Sequence, residues 1–286
     1  MNKKKIILAN VISTLKIDYL LLTLRNFFYK GNYIYALNYH ETPEFESFKL
    51  EQQLIFYKKH FSDVSISDLD QFFKNRKWHK DKPGLILSFD DGLRSNYEIA
   101  SPLLEKYGFT GWFFIPTDFP GVQVNEQIKF IKKHRIATRV NYNDGRIAMT
   151  WNEIQQLDKK HVIGCHTKTH HRMLASTTKD KLQSEIRESK RILEEKLGHS
   201  VDTFCWVGGE ELSYSSQAAQ TIREAKYKYS FMTNCMPITI QTNTLQLQRN
   251  NVETSWSINL VKFALCGIMD LLYMPKRKRV NKLTSK

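Results

Sequence analysis

The chain is poor in the features that define several functional classes. It carries four cysteines in 286 residues, Cys165, Cys205, Cys235 and Cys266, and no two stand at a paired metal-ligand spacing. That argues against a zinc finger, and a chain this long does not need a disulfide framework. Reduced, mostly buried thiols are expected, which favours a cytoplasmic setting. Acidic residues are also short: 29 Asp and Glu face 43 Lys and Arg, a formal charge of +14. The excess suits an anionic partner such as membrane phospholipid or a lipid-phosphate-linked substrate, with a plain lysine-rich surface as the bland alternative. No helical basic region accompanies it, so nucleic acid is disfavoured. No apolar run reaches the roughly 18 residues needed to span a bilayer. Finally, no histidine follows His199.

What is present is enough for a sizeable core. Apolar residues make up 41% and aromatics 12%, which argues against general disorder. Residues 1–32 read as an amphipathic helical segment with Leu20, Leu21, Leu24, Phe27 and Phe28 on its apolar side. It either lies on a membrane or packs on the domain. The basic start resembles a signal n-region, but the apolar stretch behind it is broken. At the other end, residues 256–286 read as an apolar helix, Leu260 to Met274, followed by a basic tail that begins Pro275-Lys276-Arg277-Lys278-Arg279. That run matches a nuclear-import pattern superficially and also fits docking on an anionic membrane. A peripheral place at the inner membrane surface is expected, with an extracytoplasmic one left open.

Between the ends, strand-like and helix-like stretches alternate. Strands are expected at Tyr33–Tyr39, Leu85–Leu87, Trp112–Ile115, Val162–Gly164, Thr203–Val207, Tyr229–Met232 and near Thr244–Leu247. Consecutive apolar residues in Leu85-Ile86-Leu87 imply burial on both faces, as in a parallel sheet. Helices are expected over 50–60, from a Ser67 cap, over 95–107, 152–160, 179–197 and 215–226. Pro102 is the objection inside the 95–107 helix. Residues 120–147 form a polar insertion. The alternation describes parallel strands with crossover helices, closed or nearly closed into an α/β barrel. His40, Asp90, Asp91, His166 and His170 then fall at strand carboxyl ends, the face where such barrels place their chemistry.

Two motifs carry that chemistry. Ser88-Phe89-Asp90-Asp91-Gly92 ends a strand in adjacent carboxylates, and His166-Thr167-Lys168-Thr169-His170 puts two imidazoles four apart. Neighbouring residues of a strand point oppositely, so one carboxylate can ligate a metal while the other works on its water. Two imidazoles and one carboxylate leave positions open, the composition of a catalytic site, and they suit zinc, with iron or cobalt as alternatives. Alone, Asp-Asp-Gly is usually a turn and His-x-x-x-His a surface pair. His171 reads as a bystander. His40 has either a substrate-side or a packing role.

These motifs, with Leu37-Asn38-Tyr39-His40, Gly111 to Ile115, Ile163 to His166 and Leu193 to Gly198, resemble polysaccharide deacetylases of the NodB-homology type, carbohydrate esterase family 4. The resemblance covers residues 33–255. It implies a distorted (β/α)7 barrel with flanking amphipathic helices, Asp91, His166 and His170 as metal ligands, and Asp90 as general base. It also implies removal of an N-acetyl or other small N-acyl group from an amino sugar of a glycan or glycolipid precursor, in bacterial envelope biosynthesis. A deformylase or deacetylase of a polyprenyl-phosphate-linked sugar is the narrower alternative, and a catalytically silent carbohydrate-binding barrel is a third. The chain departs from the family pattern later on. Its third motif commonly carries an Arg and a Pro, whereas Phe204 to Glu210 has neither; Trp206 and Glu210 remain as candidate substrate contacts. Its last motif commonly supplies an acid histidine, and Leu245 to Asn250 has none. The proton for the leaving amine is therefore unassigned: Glu210 or His40 supplies it, the substrate needs less help, or activity is lost.

Overall fold

The computed structural model describes residues 3–285, with side chains from residue 6. Its centre is one sheet of nine strands: β1 (Ile34–Tyr39), β2 (Ser62–Asp63), β3 (Gly84–Phe89), β4 (Gly111–Ile115), β5 (Val162–Cys165), β6 (Thr203–Cys205), β7 (Tyr229–Met232), β8 (Leu247–Gln248) and β9 (Asn250–Asn251). The order is β8-β7-β6-β5-β4-β3-β1-β9, with the short β2 beside β3, and every ladder is parallel. The outermost members, β8 and β9, are consecutive in the chain and flank Arg249. The 247–251 segment thus pairs with β7 through one half and with β1 through the other. Its backbone supports both sides: Arg249 N donates to Met232 O, and Val252 N to Asn38 O. Counted this way the barrel has seven staves, and 247–251 is the seam.

Alternation along the strands divides the core. Ile34, Ala36, Ile86, Trp112, Phe114, Phe231 and Leu247 fill one cluster. Tyr35, Leu37, Leu87, Phe113, Ile115 and Phe204 join the cluster shared with the surrounding helices. Leu69 and Phe72, from the helix Ile66–Asn75, belong to the first cluster. They close the barrel at the amino ends of its strands, where Phe73 stacks on Tyr229 at 5.9 Å.

Local signals explain several helix ends, with some shifts from expectation. The cap is Ser65 rather than Ser67: its hydroxyl accepts from Asp68 N and Asp68 reaches back to Ser65 N. Pro102 is accommodated because a π-helical turn, Asn96–Ala100, precedes the α-helix Ser101–Tyr107, placing the proline in that helix's first turn. Thr244–Leu247 is not a strand throughout; a 3-10 turn, Thr244–Gln246, leads into β8. The amino-terminal segment is two helices, Lys3–Thr14 and Ile17–Tyr29, bent by 78° at a left-handed Lys16. Among the described residues no single helix is long and apolar enough to cross a membrane.

The carboxyl-terminal residues fold back onto the barrel as the helices Ile258–Leu265, Ile268–Leu272 and Met274–Thr284. The basic run is helical rather than a loose tail. Arg277 is buried, and its guanidinium donates to the carbonyls of Asn234, Cys235 and Asp270. Asp270 in turn pairs with Arg25 at 2.7 Å, joining the two chain ends. All four cysteines are buried.

Candidate active site

The carboxyl rim gathers residues from six staves. His40 follows β1, Asp90 and Asp91 follow β3, His166 follows β5, Trp206 follows β6, Thr233 follows β7, and Arg249 comes from the seam. All seven line one pocket of about 190 Å³.

Asp91, His166 and His170 converge. Asp91 Oδ1 lies 3.1 Å from His170 Nε2 and 3.5 Å from His166 Nε2. The 166–170 segment is a bent loop, not a helix, so the two rings meet through backbone shape. Thr167 and His170 take left-handed φ of 65° and 56°, and Asp91 one of 75°. Such conformations cost about 1–3 kcal/mol each in a residue with a side chain and persist only where surroundings enforce them. Gly92, at φ 66°, carries the sharp exit without that cost. Glu185, fully buried on its helix, enforces the histidine loop by accepting from the backbone N–H groups of Lys168 and Thr169 at 2.9 and 2.8 Å.

The donor chemistry fits a metal cation. His166 Nδ1 lies 3.0 Å from Cys205 O, and His170 Nδ1 lies 2.7 Å from His134 O. A carbonyl only accepts, so each neutral ring carries its proton on Nδ1 and turns a bare Nε2 lone pair to Asp91. Asp91 Oδ1 is correspondingly buried without a hydrogen-bond donor. Three convergent lone pairs with no proton among them call for a cation. Burial raises the Asp91 carboxyl, but the two imidazoles beside it bring it well below the usual range. Burial lowers His170, and the Asp91 carboxylate more than reverses this, so proton and cation compete for the same nitrogen.

A second ligand-like group, Asp90, His166 and Cys205, lies close by. It fits a cation poorly because Arg249 already occupies it. Arg249 is fully buried and forks onto Asp90 at 2.7 and 2.8 Å, with Cys205 Sγ at 2.7 Å and Ser88 Oγ at 2.9 Å. Burial raises the Asp90 carboxyl, and Arg249 leads the groups that bring it below its ordinary value. Asp90 is thereby kept ionised beside the triad, 3.9 Å from His166 Nε2.

Three further expected residues fall differently. His40 lines the pocket. Trp206 lies beneath the pocket, 2% exposed, with its indole N–H on Ser230 Oγ at 2.9 Å. Glu210 sits on the rim, its side chain 61% exposed, 3.4 Å from Arg172. Backbone hydrogen bonding holds its carboxyl low, which suits it poorly to donate a proton. Sequence reasoning missed Arg249 and Glu185. Both lie in chain segments remote from the motifs they serve, and no local pattern marks them.

The polysaccharide deacetylase family model matches residues 77–230. The chain belongs to the polysaccharide deacetylase family. Membership makes it a carbohydrate deacetylase by class. No curated protein matches it in sequence. Solved structures with the same fold include the deacetylase PplD of Streptococcus pyogenes in complex with acetate, 19% identical, covering 83% of this chain and 98% of that one with a TM-score of 0.63. A de-N-acetylase from Aggregatibacter actinomycetemcomitans is 15% identical over 82% of this chain and 100% of its own, TM-score 0.64. IcaB from Ammonifex degensii is 16% identical over 84% and 98%, TM-score 0.60. At these identities the likeness establishes the NodB-type barrel. Arg249 lies beyond the matched residues.

Proposed function

We propose that the protein is a metal-dependent hydrolase that removes an N-acetyl group from an amino sugar. The observation that carries this reading is the proton-free convergence of Asp91 Oδ1 with the Nε2 atoms of His166 and His170 beside an ionised, buried Asp90. Asp91, His166 and His170 would hold a divalent cation, zinc by preference for the borderline ligand set, which would supply Lewis acidity towards the acyl carbonyl and water. Asp90 accepts the proton of the attacking water, oriented by the Arg249 fork. The carbon–nitrogen bond then breaks, and the leaving nitrogen needs a proton. His40 is the group placed to supply it, since it lines the same pocket and Glu210 is held ionised at the rim. Acetate and a free amino sugar result. The buried free thiols of Cys165, Cys205 and Cys266 support a reducing compartment, and outward apolar side chains on the terminal helices support attachment at a membrane surface.

The test is metal analysis of the purified chain, followed by mass spectrometry of N-acetylated oligosaccharides for loss of an acetyl group. Asp90→Asn and His40→Phe are each expected to retain metal and to lower turnover by about 100-fold or more. Metal bound with no acetyl loss from any acetylated sugar would instead favour the silent carbohydrate-binding reading.

A further inference from the structure

The insertion at 120–147 is a part of the chain that the acetyl-removing chemistry leaves unused. Its helix Val124–His134 ends beside the candidate metal triad, where the His134 carbonyl lies 2.7 Å from His170 Nδ1. Arg135 caps that helix in the left-handed region, at φ 59°. The chain is tied down again a few residues later. Glu41, 5% exposed, accepts from the backbone N–H groups of Arg139 and Val140 at 2.7 and 3.2 Å. The Arg139 guanidinium forks onto Glu46 at 2.7 and 2.9 Å. Residues 135–138 are thus a short strap fixed at both ends, and Arg135 and Ala137 form part of the wall of the catalytic pocket.

Charge in that pocket does not balance. Its acidic residues are Asp90 and Asp91, and its arginines are Arg135, Arg172 and Arg249. Arg249 is matched by its fork onto Asp90. Asp91 faces the two imidazoles and the cation proposed there. Arg135 and Arg172 are left over. Arg135 is exposed, and among the described residues its side chain has no hydrogen-bond or ion-pair partner. Arg172 has one carboxylate near it, Glu210 at 3.4 Å, which is 61% exposed and also accepts from Ser213 at 3.0 Å. An exposed pair of that length is weak. A guanidinium carries five N–H donors, so Arg172 keeps most of its own.

Two like charges on the wall of one small pocket, with a divalent cation beside them, favour an anionic occupant. A neutral acetylated glycan offers hydroxyls and amides and leaves both charges unanswered. Guanidinium groups rather than ammonium groups point to a planar, two-oxygen acceptor, because their fork matches a carboxylate.

We infer that the substrate is an acidic glycan: the amino sugar that loses its acetyl group is joined to a uronic acid, and Arg135 and Arg172 receive that neighbouring sugar's carboxylate. This rests on the deacetylase reading for the reacting sugar. Both arginines act as specificity residues, since they touch the neighbouring sugar and not the amide that is cleaved. The strap supplies one of them already in place, so little ordering is needed when the glycan binds.

Two measurements on the metal-loaded full chain test this. In the first, a tetrasaccharide that alternates N-acetylglucosamine with glucuronate is compared with the uncharged N-acetylglucosamine tetrasaccharide. The acidic one is expected to have a kcat/KM at least about tenfold higher, chiefly through KM, and the preference should shrink as salt is raised. Arg135→Gln and Arg172→Gln should each cut the preference about tenfold. Lys129→Gln removes the same charge from a side chain 79% exposed on the same helix and should leave the preference as it was. The second measurement needs no turnover. A galacturonate tetramer, which carries no acetyl group, should bind at least about tenfold more tightly than cellotetraose by calorimetry, and Arg135→Gln should remove most of that difference. No acidic preference in either measurement overturns the inference. So does a preference that Arg135→Gln leaves intact, or one that Lys129→Gln lowers equally, since net charge would then suffice. Galacturonate binding that depends on Arg135, with no acetyl loss from any sugar, would count against the deacetylase reading and leave the acidic-glycan assignment standing. Acetyl loss with equal kcat/KM for the two tetrasaccharides would do the reverse.

Discussion

Arg249→Met is the perturbation that most directly probes how the site is held together. Methionine nearly fills the volume but leaves the Asp90 carboxylate buried without its two hydrogen bonds of 2.7 and 2.8 Å. At an effective dielectric near 20, unit charges about 4 Å apart attract by about 4 kcal/mol. Removing one member of a buried pair costs about 3–5 kcal/mol because the survivor stays desolvated. Asp90→Asn leaves the guanidinium in the same position and should cost a similar amount. The double variant leaves neither charge, so its cost should fall below the sum by about 3 kcal/mol. Urea unfolding of all four proteins, in chelator so that metal binding does not contribute, measures this coupling. Turnover by Arg249→Met should drop by about 100-fold or more, since a base displaced by about 1 Å loses that much. Metal content should be unchanged, because Arg249 is not among the three proposed ligands. Arg249→Lys should recover part of the stability and little of the turnover, as an ammonium cannot fork. Additivity within about 0.5 kcal/mol would refute the claim that Asp90 and Arg249 act as a unit.

Two further outcomes follow from groups that do not touch substrate. Glu185→Gln should loosen the histidine loop and weaken metal affinity about 10–100-fold, read by competition with a chromogenic chelator; unchanged affinity would show that the loop holds its shape without that carboxylate. His161 should make stability fall in mild acid. Its Nδ1 accepts from Gly111 N at 3.1 Å, and burial pushes its pKa down to about 4. The unfolded chain, with an ordinary imidazole near 6.5, binds the proton first. The contribution is therefore full above about pH 6.5 and is lost as pH falls towards 4. It amounts to about 2 kcal/mol between pH 6.5 and 5. His161→Gln should flatten the unfolding free energy by that amount over the same interval, and parallel curves would refute the assignment.

Much of the barrel was legible locally. Strand cores such as Leu85–Leu87 and Tyr229–Met232 are short, apolar and bounded by turn residues, and parallel strands buried on both faces need such sequences. Asp90, Asp91, His166 and His170 stand immediately past strand ends, so the rule that barrel chemistry sits at the carboxyl face placed them without a structure. Boundaries drifted where a cap competes with a neighbour, as Ser65 does with Ser67. They drifted too where a 3-10 turn replaces an extended start, as at Thr244–Gln246. Within the basic run at 275–279, Arg277 turns inward and donates to three backbone carbonyls, because charge pattern reports solvent exposure only on average.

The amino-acid order alone thus determined the strand–helix alternation, the family and which four residues, Asp90, Asp91, His166 and His170, are candidates for the chemistry, because period, turn chemistry and motif are properties of neighbours along the chain. Tertiary structure decided the rest. Arg249 reaches Asp90 across 159 positions only because the 247–251 seam closes the barrel, and Glu185 shapes a loop 16 residues away from a different element. Contacts of that kind depend on which surfaces fold against each other, and no local spacing encodes them.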